Sequence, residues 1–375
     1  MLIELHMIQN FAPSNLNRDD TNNPKDCEFG GVRRARISSQ CLKRAIRLSP
    51  VFAKTTQTDV GIRTKFILRR LKDKLISQGK PADDAQKVLD MFIPAYISKL
   101  EKKNDKTAVL LYMSNQETDE IVSVLLDKWK DLLDVKDGPL VVEKTCKDLR
   151  KKYKGVTSAP DIALFGRMLA EQPELGLEAA CQVAHAISTH RVNMEMDFYT
   201  AVDDLQKTMQ DSEPGAGMMG FTAFNSACFY RYACIDWEQL RTTLQGDMGM
   251  ASKTVEGFLR ASIVAFPSGK QNSFAANNPP SFLLCVIKRE GSAWSLANAF
   301  EDPVKPGRNG GFIAPSIESL DKYWGRLESI YGSDDLVCVA ALGLEEELPL
   351  GSLKSALLTN QSDWMKKILS ALPKD

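Results

Sequence analysis

The chain interleaves segments typical of β-strands with segments typical of α-helices, and this arrangement limits its fold more than any other feature. Strand-like runs are predicted at residues 3–8, 108–113, 161–169, 221–235, 282–288 and 335–342. Helical periodicity or capping residues predict helices over 38–48, 60–104, 117–133, 144–154, 177–189, 252–266 and 316–330. Because the strands are scattered among helices without an internal repeat, we expect an α+β fold around a mixed or antiparallel sheet.

Length and composition indicate an ordinary globular protein. The 375 residues are 43% hydrophobic and 26% charged, which excludes a disordered or fibrous chain. The length suggests two domains, or one domain with large insertions. No uncharged apolar run approaches the roughly 18 residues of a membrane span. The first residues lack the basic region of a signal peptide, and the eight cysteines form no CxxC pair. We therefore expect a cytoplasmic protein with reduced thiols and no contact with a membrane.

Basic residues are concentrated in one stretch of a chain whose formal net charge is zero. Between Gly31 and Arg70 only Asp59 is acidic, so this stretch has a local net charge of +10. Its basic residues are Arg33, Arg34, Arg36, Lys43, Arg44, Arg47, Lys54, Arg63, Lys65, Arg69 and Arg70. Such an imbalance favours a polyanionic partner over an ordinary solvated surface.

The segment SSQCLKRAIRL, beginning at Ser38, predicts an amphipathic helix with a cationic face. At 100° per residue, its polar side chains lie within an arc of about 100°, opposite Leu42, Ala45 and Ile46. The residues of this cationic face are Gln40, Lys43, Arg44 and Arg47. Ser38 and Ser39 are suitable N-caps and would place backbone N–H groups where a phosphate can bind. The alternative is a solvated basic face without a ligand.

The polar loop before this helix allows two interpretations. Arg18 and Lys25, among short hydrogen-bonding side chains, could follow a sugar–phosphate backbone. Its acids Asp19, Asp20 and Asp26 could instead bind a divalent metal for nuclease chemistry, although their spacing matches no EF-hand.

Three other patterns are weaker. Gly215, Gly217 and Gly220 match GxGxxG, but no strand precedes them and no helix follows, which favours a projecting loop over a dinucleotide site. Cys181, His185 and His190 could form a zinc site, with the first two on one helix face, but no fourth ligand is evident. Without GxSxG, HExxH or Walker A motifs, and with three histidines, the chain offers few candidates for acid–base catalysis.

Several segments, in one collinear order, resemble the CasC-type backbone subunit of type I-E CRISPR Cascade complexes. They cover about three quarters of the chain. The matching segments are LNRDD (16–20), FGGVRRARISSQCLKRAIR (29–47), DIALFGRM (161–168), AHAISTH (184–190), DFYTAVDDL (197–205), FYRYACI (229–235), KQNSFAANNP (270–279) and SLANAFE (295–301).

The resemblance implies a modified RNA-recognition-motif (ferredoxin-like) palm with a helical finger insertion and a long thumb loop. It places the start of the palm with its RNA-binding loop and helix at 1–58 and the finger at 59–155. The palm continues over 156–192, the thumb covers 193–224, and the rest of the palm with the C-terminal helices covers 225–375. The stretch from Lys207 to Thr222 is longer than the thumb of the family usually is, and the finger diverges.

The resemblance also implies a function without catalysis or a metal or other cofactor. Copies of the subunit would line up along one CRISPR guide RNA, bind its backbone regardless of sequence, and kink it for pairing with target DNA, together with other Cascade subunits. The implied RNA-binding residues are Asn17, Arg18, Lys25, Arg33, Arg34, Ser38, Ser39, Gln40, Lys43, Arg44, Arg47, Gly166, Arg167, Met168, Tyr199, Thr200, Lys270, Gln271 and Asn272. Met168 and Tyr199 would fill the gap at a kink, as an adaptable side chain and an aromatic face can.

Two alternatives remain open. A metal-dependent endoribonuclease could use Asp26, which lies before the helix where related proteins of other CRISPR types carry an acid that cuts target RNA. A protein that forms filaments without RNA would instead assemble alone.

Overall fold

The computed structural model describes residues 1–101, 105–201 and 218–374. The chain divides into two compact units. The sheet unit comprises Met1–Ile46, Val183–Cys234 and Ala261–Leu372. The helical unit comprises Arg47–Gln182 and Ile235–Arg260, with the C-terminal tail from residue 373.

The described residues form eleven strands. They are β1 (Leu2–Ser14), β2 (Asp26–Phe29), β3 (Val32–Ile37), β4 (Ile62–Thr64), β5 (Leu111–Met113), β6 (Cys181–Val183), β7 (Ala186–Ser188), β8 (Glu195–Ala201), β9 (Met218–Asp236), β10 (Phe282–Lys288) and β11 (Leu336–Gly343). The main sheet has the order β11-β10-β1-β9-β7-β3-β2, and β6 and β8 also pair with β9. The ladders β1–β10, β10–β11, β2–β3, β3–β7, β7–β9 and β8–β9 are antiparallel.

Helices lie between the strands, as expected from the sequence. They are α1 (Ser39–Arg47), α2 (Pro50–Thr56), α3 (Ile67–Ser77), α4 (Ala82–Tyr96), α5 (Asn115–Asp127), α6 (Trp129–Leu132), α7 (Gly138–Tyr153), α8 (Pro160–Phe165), α9 (Trp237–Thr243), α10 (Met248–Val264), α11 (Gln271–Phe274), α12 (Ile313–Tyr331) and α13 (Gln361–Ser370). The mixed α/β architecture with an antiparallel sheet confirms the predicted fold class at this level. None of the described helices has the length and apolar character needed to cross a membrane.

Each unit has its own hydrophobic core. In the sheet unit, β10 packs with α12 through residues such as Leu284, Val286 and Trp324, all at most 1% exposed. In the helical unit, α3, α4, α5 and α7 bury a separate cluster that includes Leu71 and Phe92. Burial of this apolar surface is the main force that stabilises each unit.

Two predicted elements are wrong. Residues 161–169 were expected to form a strand, but Pro160 and Asp161 begin the short helix α8, as proline at the first helical position commonly does. Residues 177–189 were expected to form a helix, but they contain β6 and β7. Three-residue strands are too short to show a period of two, and their pairing with distant strands decides their conformation.

Candidate nucleic-acid interface

The loop that follows β1 connects several predicted site residues of the sheet unit. Asn17 accepts a hydrogen bond from the backbone N–H of Ser38 through its side-chain oxygen, over 2.8 Å. Its carbonyl accepts the N–H of Lys25, also at 2.8 Å. The buried Asn15 side chain donates to the carbonyl of Ala223 on β9 at 2.9 Å. The loop is therefore fixed to the start of α1 and to the base of the β8–β9 pair.

A close backbone approach places a second loop beside the first. A Cβ atom at Gly269 would lie 2.3 Å from the carbonyl oxygen of Leu16, so only glycine allows this packing. Lys270, Gln271 and Asn272 follow directly, with Lys270 half-buried and Asn272 exposed. The Gln271 side chain donates to the carbonyl of Pro267 at 3.0 Å. This segment contains the single helical turn α11.

Helix α1 has the two faces that its sequence predicts, with one exception. Leu42 and Ile46 are 3% and 2% exposed, whereas Gln40 and Arg44 are exposed and Lys43 is half-buried. Ser38 caps the helix, because its hydroxyl accepts the N–H of Cys41 at 3.3 Å. Ser39, at the first helical position, is half-buried. Gln40, Lys43 and Arg44 form what we call the cationic ridge.

Arg47 does not belong to this ridge, and its prediction as an exposed member of the cationic face is wrong. It is 7% exposed and donates to the carbonyl of Gly61 at 2.9 Å, within the helical unit. Its guanidinium also lies 3.8 Å from the carboxylate of Asp161. Arg47 lies on the same helix face as Gln40 and Lys43, but its contacts with Gly61 and Asp161 bury it.

Arg34 is likewise buried, which contradicts its prediction as an accessible part of a basic cluster. It is 0% exposed and donates hydrogen bonds to the carbonyls of Phe29, Ser188, Phe300 and Glu301 over 2.8–3.2 Å. Burial lowers the pKa of its guanidinium. Arg34 therefore joins four segments of the sheet unit, and a phosphate cannot reach it in this conformation.

Arg33, in contrast to the buried Arg34, is exposed and forms an ion pair with Asp26. Arg18 is exposed and donates to the side chain of Asn22 at 2.7 Å. Both remain accessible to a ligand. Lys25 is half-buried, in the groove between the loop and β3.

Arg36 lines the same groove as Lys25, and His185 lies beside it, although neither residue is among the predicted RNA-binding residues. The Arg36 guanidinium lies 3.0 Å from Nδ1 of His185, and its Nε donates to the carbonyl of Asp26 at 3.0 Å. Burial, Arg36 and Lys25 together lower the pKa of His185. Arg36 was visible as a cation in the basic stretch, whereas nothing local in the sequence indicates that His185, 149 positions later, lies beside it.

Strand β8 and the start of β9 form a two-stranded segment that we call the ribbon (Glu195–Ala201 and Met218–Phe224). All seven residues of β8 are exposed. Phe198 pairs with Phe221, and their rings lie 5.2 Å apart. Tyr199 pairs with Gly220, and Thr200 pairs with Met219. Of the GxGxxG pattern, Gly215 and Gly217 lie outside the described residues.

Gly166, Arg167 and Met168 belong to the helical unit, where each has a distinct structural role. Gly166 ends α8 at φ +75°, a conformation that favours glycine. Arg167 is 3% exposed, and its guanidinium lies 2.8 Å from the Glu117 carboxylate. It is therefore not accessible to RNA in this conformation, contrary to the prediction. Met168 is 91% exposed. The buried arginine holds the chain while the next side chain projects into solvent.

The candidate metal ligands are dispersed. Cys181 lies in β6 and is buried, His185 is exposed, and they do not share a helix face as expected. His190 stacks on Phe312 with ring centroids 3.7 Å apart, and its Nε2 accepts the N–H of Cys228. Asp19 closes its own turn by accepting hydrogen bonds from the Thr21 hydroxyl and from the N–H groups of Asn23 and Thr21, which together lower its pKa. Among the described residues, no three His, Cys, Asp or Glu side chains converge as a metal site.

Comparison with known proteins gives three results. The model of a family described as CT1975-like protein matches residues 3–368. A chain of a solved structure described as "CRISPR RNA-guided surveillance complex, pre-nicking" is 29% identical, with a TM-score of 0.87, covering 99% of this chain and 100% of that one. No curated protein matches this chain.

A second solved chain supports the fold alone. It comes from a structure described as "CRISPR RNA-guided surveillance complex", is 23% identical and has a TM-score of 0.76. It covers 99% of this chain and 100% of that one.

Proposed function

Because the chain belongs to the CT1975-like protein family, we propose that it is a backbone subunit of a CRISPR RNA-guided surveillance complex and binds the guide RNA. The 29% identical chain, which matches over its whole length, supports this role. The finer assignment, a CasC-type subunit of a type I-E complex with an RNA-recognition-motif palm, a finger and a thumb, is part of the proposal. So are its cytoplasmic location and its partners: copies of itself, other subunits and, through the guide, target DNA.

The observation that carries the proposal is the convergence of four features in the sheet unit. The contacts described above connect these features to one another. They are the cationic ridge, the capped start of α1, the loop with Asn17, Arg18 and Lys25, and the loop from Lys270 to Asn272. Charged and amide side chains that meet in this way suit phosphate and 2′-hydroxyl groups. A guide-binding subunit needs such contacts, because it must accept any sequence and leave the bases free to pair.

The ribbon and Met168 would supply apolar contacts to the RNA. Met168 projects from a backbone that Arg167 anchors, and Tyr199 and Thr200 lie on the exposed ribbon. We infer that Met168 and Tyr199 contact unstacked bases where the guide bends. In this proposal Arg34, Arg47 and Arg167 position the binding surface and do not themselves contact RNA.

The proposed role includes no catalytic step. The alternative, an endoribonuclease that uses Asp26, requires that carboxylate to leave its ion pair with Arg33 and bind a metal. Cleavage of complementary RNA at regular intervals in the presence of magnesium would favour this alternative.

Charge reversal on the ridge tests the proposal. Lys43→Glu with Arg44→Glu should abolish copurification of guide RNA, because it replaces two cations by two anions on one face of α1. Lys322→Glu with Arg326→Glu, which makes the same charge change on the exposed face of α12, is the matched control and should retain guide. Normal guide retention by the ridge variant would refute the assignment. Assembly of the wild-type chain without RNA would support a protein-only filament instead.

A further inference from the structure

The second half of the basic stretch forms a separate surface on the helical unit. Phe66 is 48% exposed, although the next two residues, Ile67 and Leu68, are buried in the core. The core of this unit therefore does not require the Phe66 ring. An aromatic ring that stays in water at the edge of a basic segment suggests a ligand with a flat face.

Cations surround this ring. The ammonium group of Lys106 lies 5.1 Å from the centroid of Phe66. The side chain of Arg69 is exposed and, among the described residues, has no hydrogen-bond or ion-pair partner. Arg70 donates to the side chain of Asn115 at 2.7 Å, while its Nε is buried without a partner. The arginine donors are thus only partly used within the protein.

Phe66, Arg69 and Arg70 line one groove of about 540 Å³, within the range of roughly 300–1,000 Å³ typical of small-ligand sites. Ile62, Thr64 and Phe66 lie along it with Arg69, Arg70 and Lys74. Asp73 is the acidic residue that lines the groove. Lys74 forms an ion pair with Asp119, which does not line the groove. The groove consequently combines an exposed ring with an excess of positive charge.

We propose that this groove binds single-stranded nucleic acid, with a base stacked on Phe66 and phosphates held by Arg69 and Arg70. A ring flanked by cationic side chains is the arrangement by which proteins bind single strands without reading their sequence. A protein partner would instead favour a wider apolar patch depleted of lysine. This site is distinct from the proposed guide-binding ridge, and its test does not depend on the ridge.

The experiment uses the full chain carrying Lys43→Glu and Arg44→Glu, so that the ridge does not contribute. The probe is a fluorescein-labelled oligothymidylate of about twelve nucleotides, with a second preparation that contains photoreactive bromodeoxyuridine. Irradiation should cross-link the strand to the tryptic peptide Phe66–Arg69, which trypsin releases after Lys65 and Arg69.

Two substitutions separate stacking from charge. Phe66→Ala should weaken binding at least about fivefold, the lower limit for loss of one base stack, whereas Phe66→Trp should preserve it. Arg69→Ala should reduce the slope of log affinity against log salt by about 0.7, the value for one phosphate of a single strand. Leu110→Ala and Arg241→Ala, which alter an exposed apolar residue and a partly exposed arginine of the same unit, should leave binding unchanged.

Three results would overturn the proposal: no binding of the probe, cross-links only elsewhere, or groove variants that bind like their controls. Displacement by polyglutamate together with full affinity of Phe66→Ala would indicate an acidic protein partner instead. Guide copurification, measured separately with an intact ridge, should be normal in Phe66→Ala, so failure of the groove and failure of the guide-binding proposal give different results.

Discussion

Strands β8 and β10 have the same length and belong to the same sheet, yet their surroundings are opposite. All seven residues of β10 are buried, and all seven of β8 are exposed. Strand β9 contains both kinds of surroundings. Its residues from Ala227 to Ile235 are mostly buried, whereas Met218, Met219 and Phe221 are exposed. The apolar residues of β10 are explained by the core, whereas those of the ribbon require a partner or tolerate water.

The largest difference between the two strands should appear in thermodynamic stability. Leu284, in β10, is 0% exposed, so Leu284→Ala should lower the free energy of unfolding by about 2–5 kcal/mol through lost burial and the cavity that remains. Phe198, in β8, is 53% exposed, so Phe198→Ala should cost less than about 1.5 kcal/mol, the upper value for one aromatic pair. Urea denaturation of the two variants measures both values.

The same two variants should reverse their order in RNA binding. Correctly folded Leu284→Ala should retain guide RNA, whereas Phe198→Ala should bind it more weakly if the ribbon contacts the guide. Equal losses of stability would show that the ribbon packs against the protein and that the contrast between the strands is wrong.

An intermediate effect should come from pH, through His6 on β1. His6 lies opposite Leu284 of β10, and its Nδ1 lies 2.8 Å from the hydroxyl of Tyr230. Burial, and secondarily Lys288, lowers the pKa of His6 from 6.5 to about 3, even though the Glu4 carboxylate lies 4.0 Å away. Because the unfolded chain binds this proton more readily, stability should fall as pH decreases below about 6.5 and continue to fall to about 3.

The expected loss from His6 alone is about 2 kcal/mol between pH 7 and pH 5. Unfolding measured across this range should show it as the difference between the wild type and His6→Asn, which removes the titrating group. His185→Asn serves as the comparison: the pKa of His185 is also lowered, but its side chain is exposed, so its share of the slope should be smaller than that of the buried His6. An unchanged slope in His6→Asn would mean that the buried strands do not exclude water from the imidazole.

Local patterns in the sequence predict the elements whose burial has a regular period. The sequence predicts the cationic ridge and the apolar face of α1 because Leu42 and Ile46 recur at helical spacing opposite Gln40 and Arg44. Helix α12 is correct for the same reason, whereas β10 was predicted from a continuous apolar run and is buried on both faces. The resemblance to CasC-type subunits implied that Gly166, Arg167 and Met168 all contact RNA. The sequence did not show that Arg167 is buried while Met168 is exposed.

Features that depend on distant partners could not be predicted. Arginine is the residue type expected on a nucleic-acid-binding surface. Carbonyls and carboxylates from other parts of the chain nevertheless hold three arginines inside the protein: Arg34, Arg47 and Arg167. A buried arginine and an exposed one look alike in a sequence, because the residue type does not show which partners the fold brings to it. The proximity of Arg36 and His185 depends on the pairing of β3 with β7, which no local pattern specifies.

The smallest expected effect concerns Gly220, whose lack of a side chain leaves room for the Tyr199 ring on the ribbon. A Cβ atom at Gly220 would lie 2.5 Å from the Tyr199 ring, so alanine must displace the ring. Because Tyr199 is 42% exposed, it can move into solvent, and the strain should nearly cancel the roughly 0.5–1 kcal/mol that alanine gains over glycine in a strand. Gly220→Ala should therefore change stability by less than about 0.5 kcal/mol.

In a Tyr199→Ala background the strain is absent, and Gly220→Ala should stabilise the protein by about 0.5–1 kcal/mol. Urea denaturation of the four proteins in this double-mutant cycle measures the coupling directly. A coupling near zero would show that the ring does not rest on Gly220, whereas a cost above about 2 kcal/mol in the wild-type background would show that the ribbon is as tightly packed as β10.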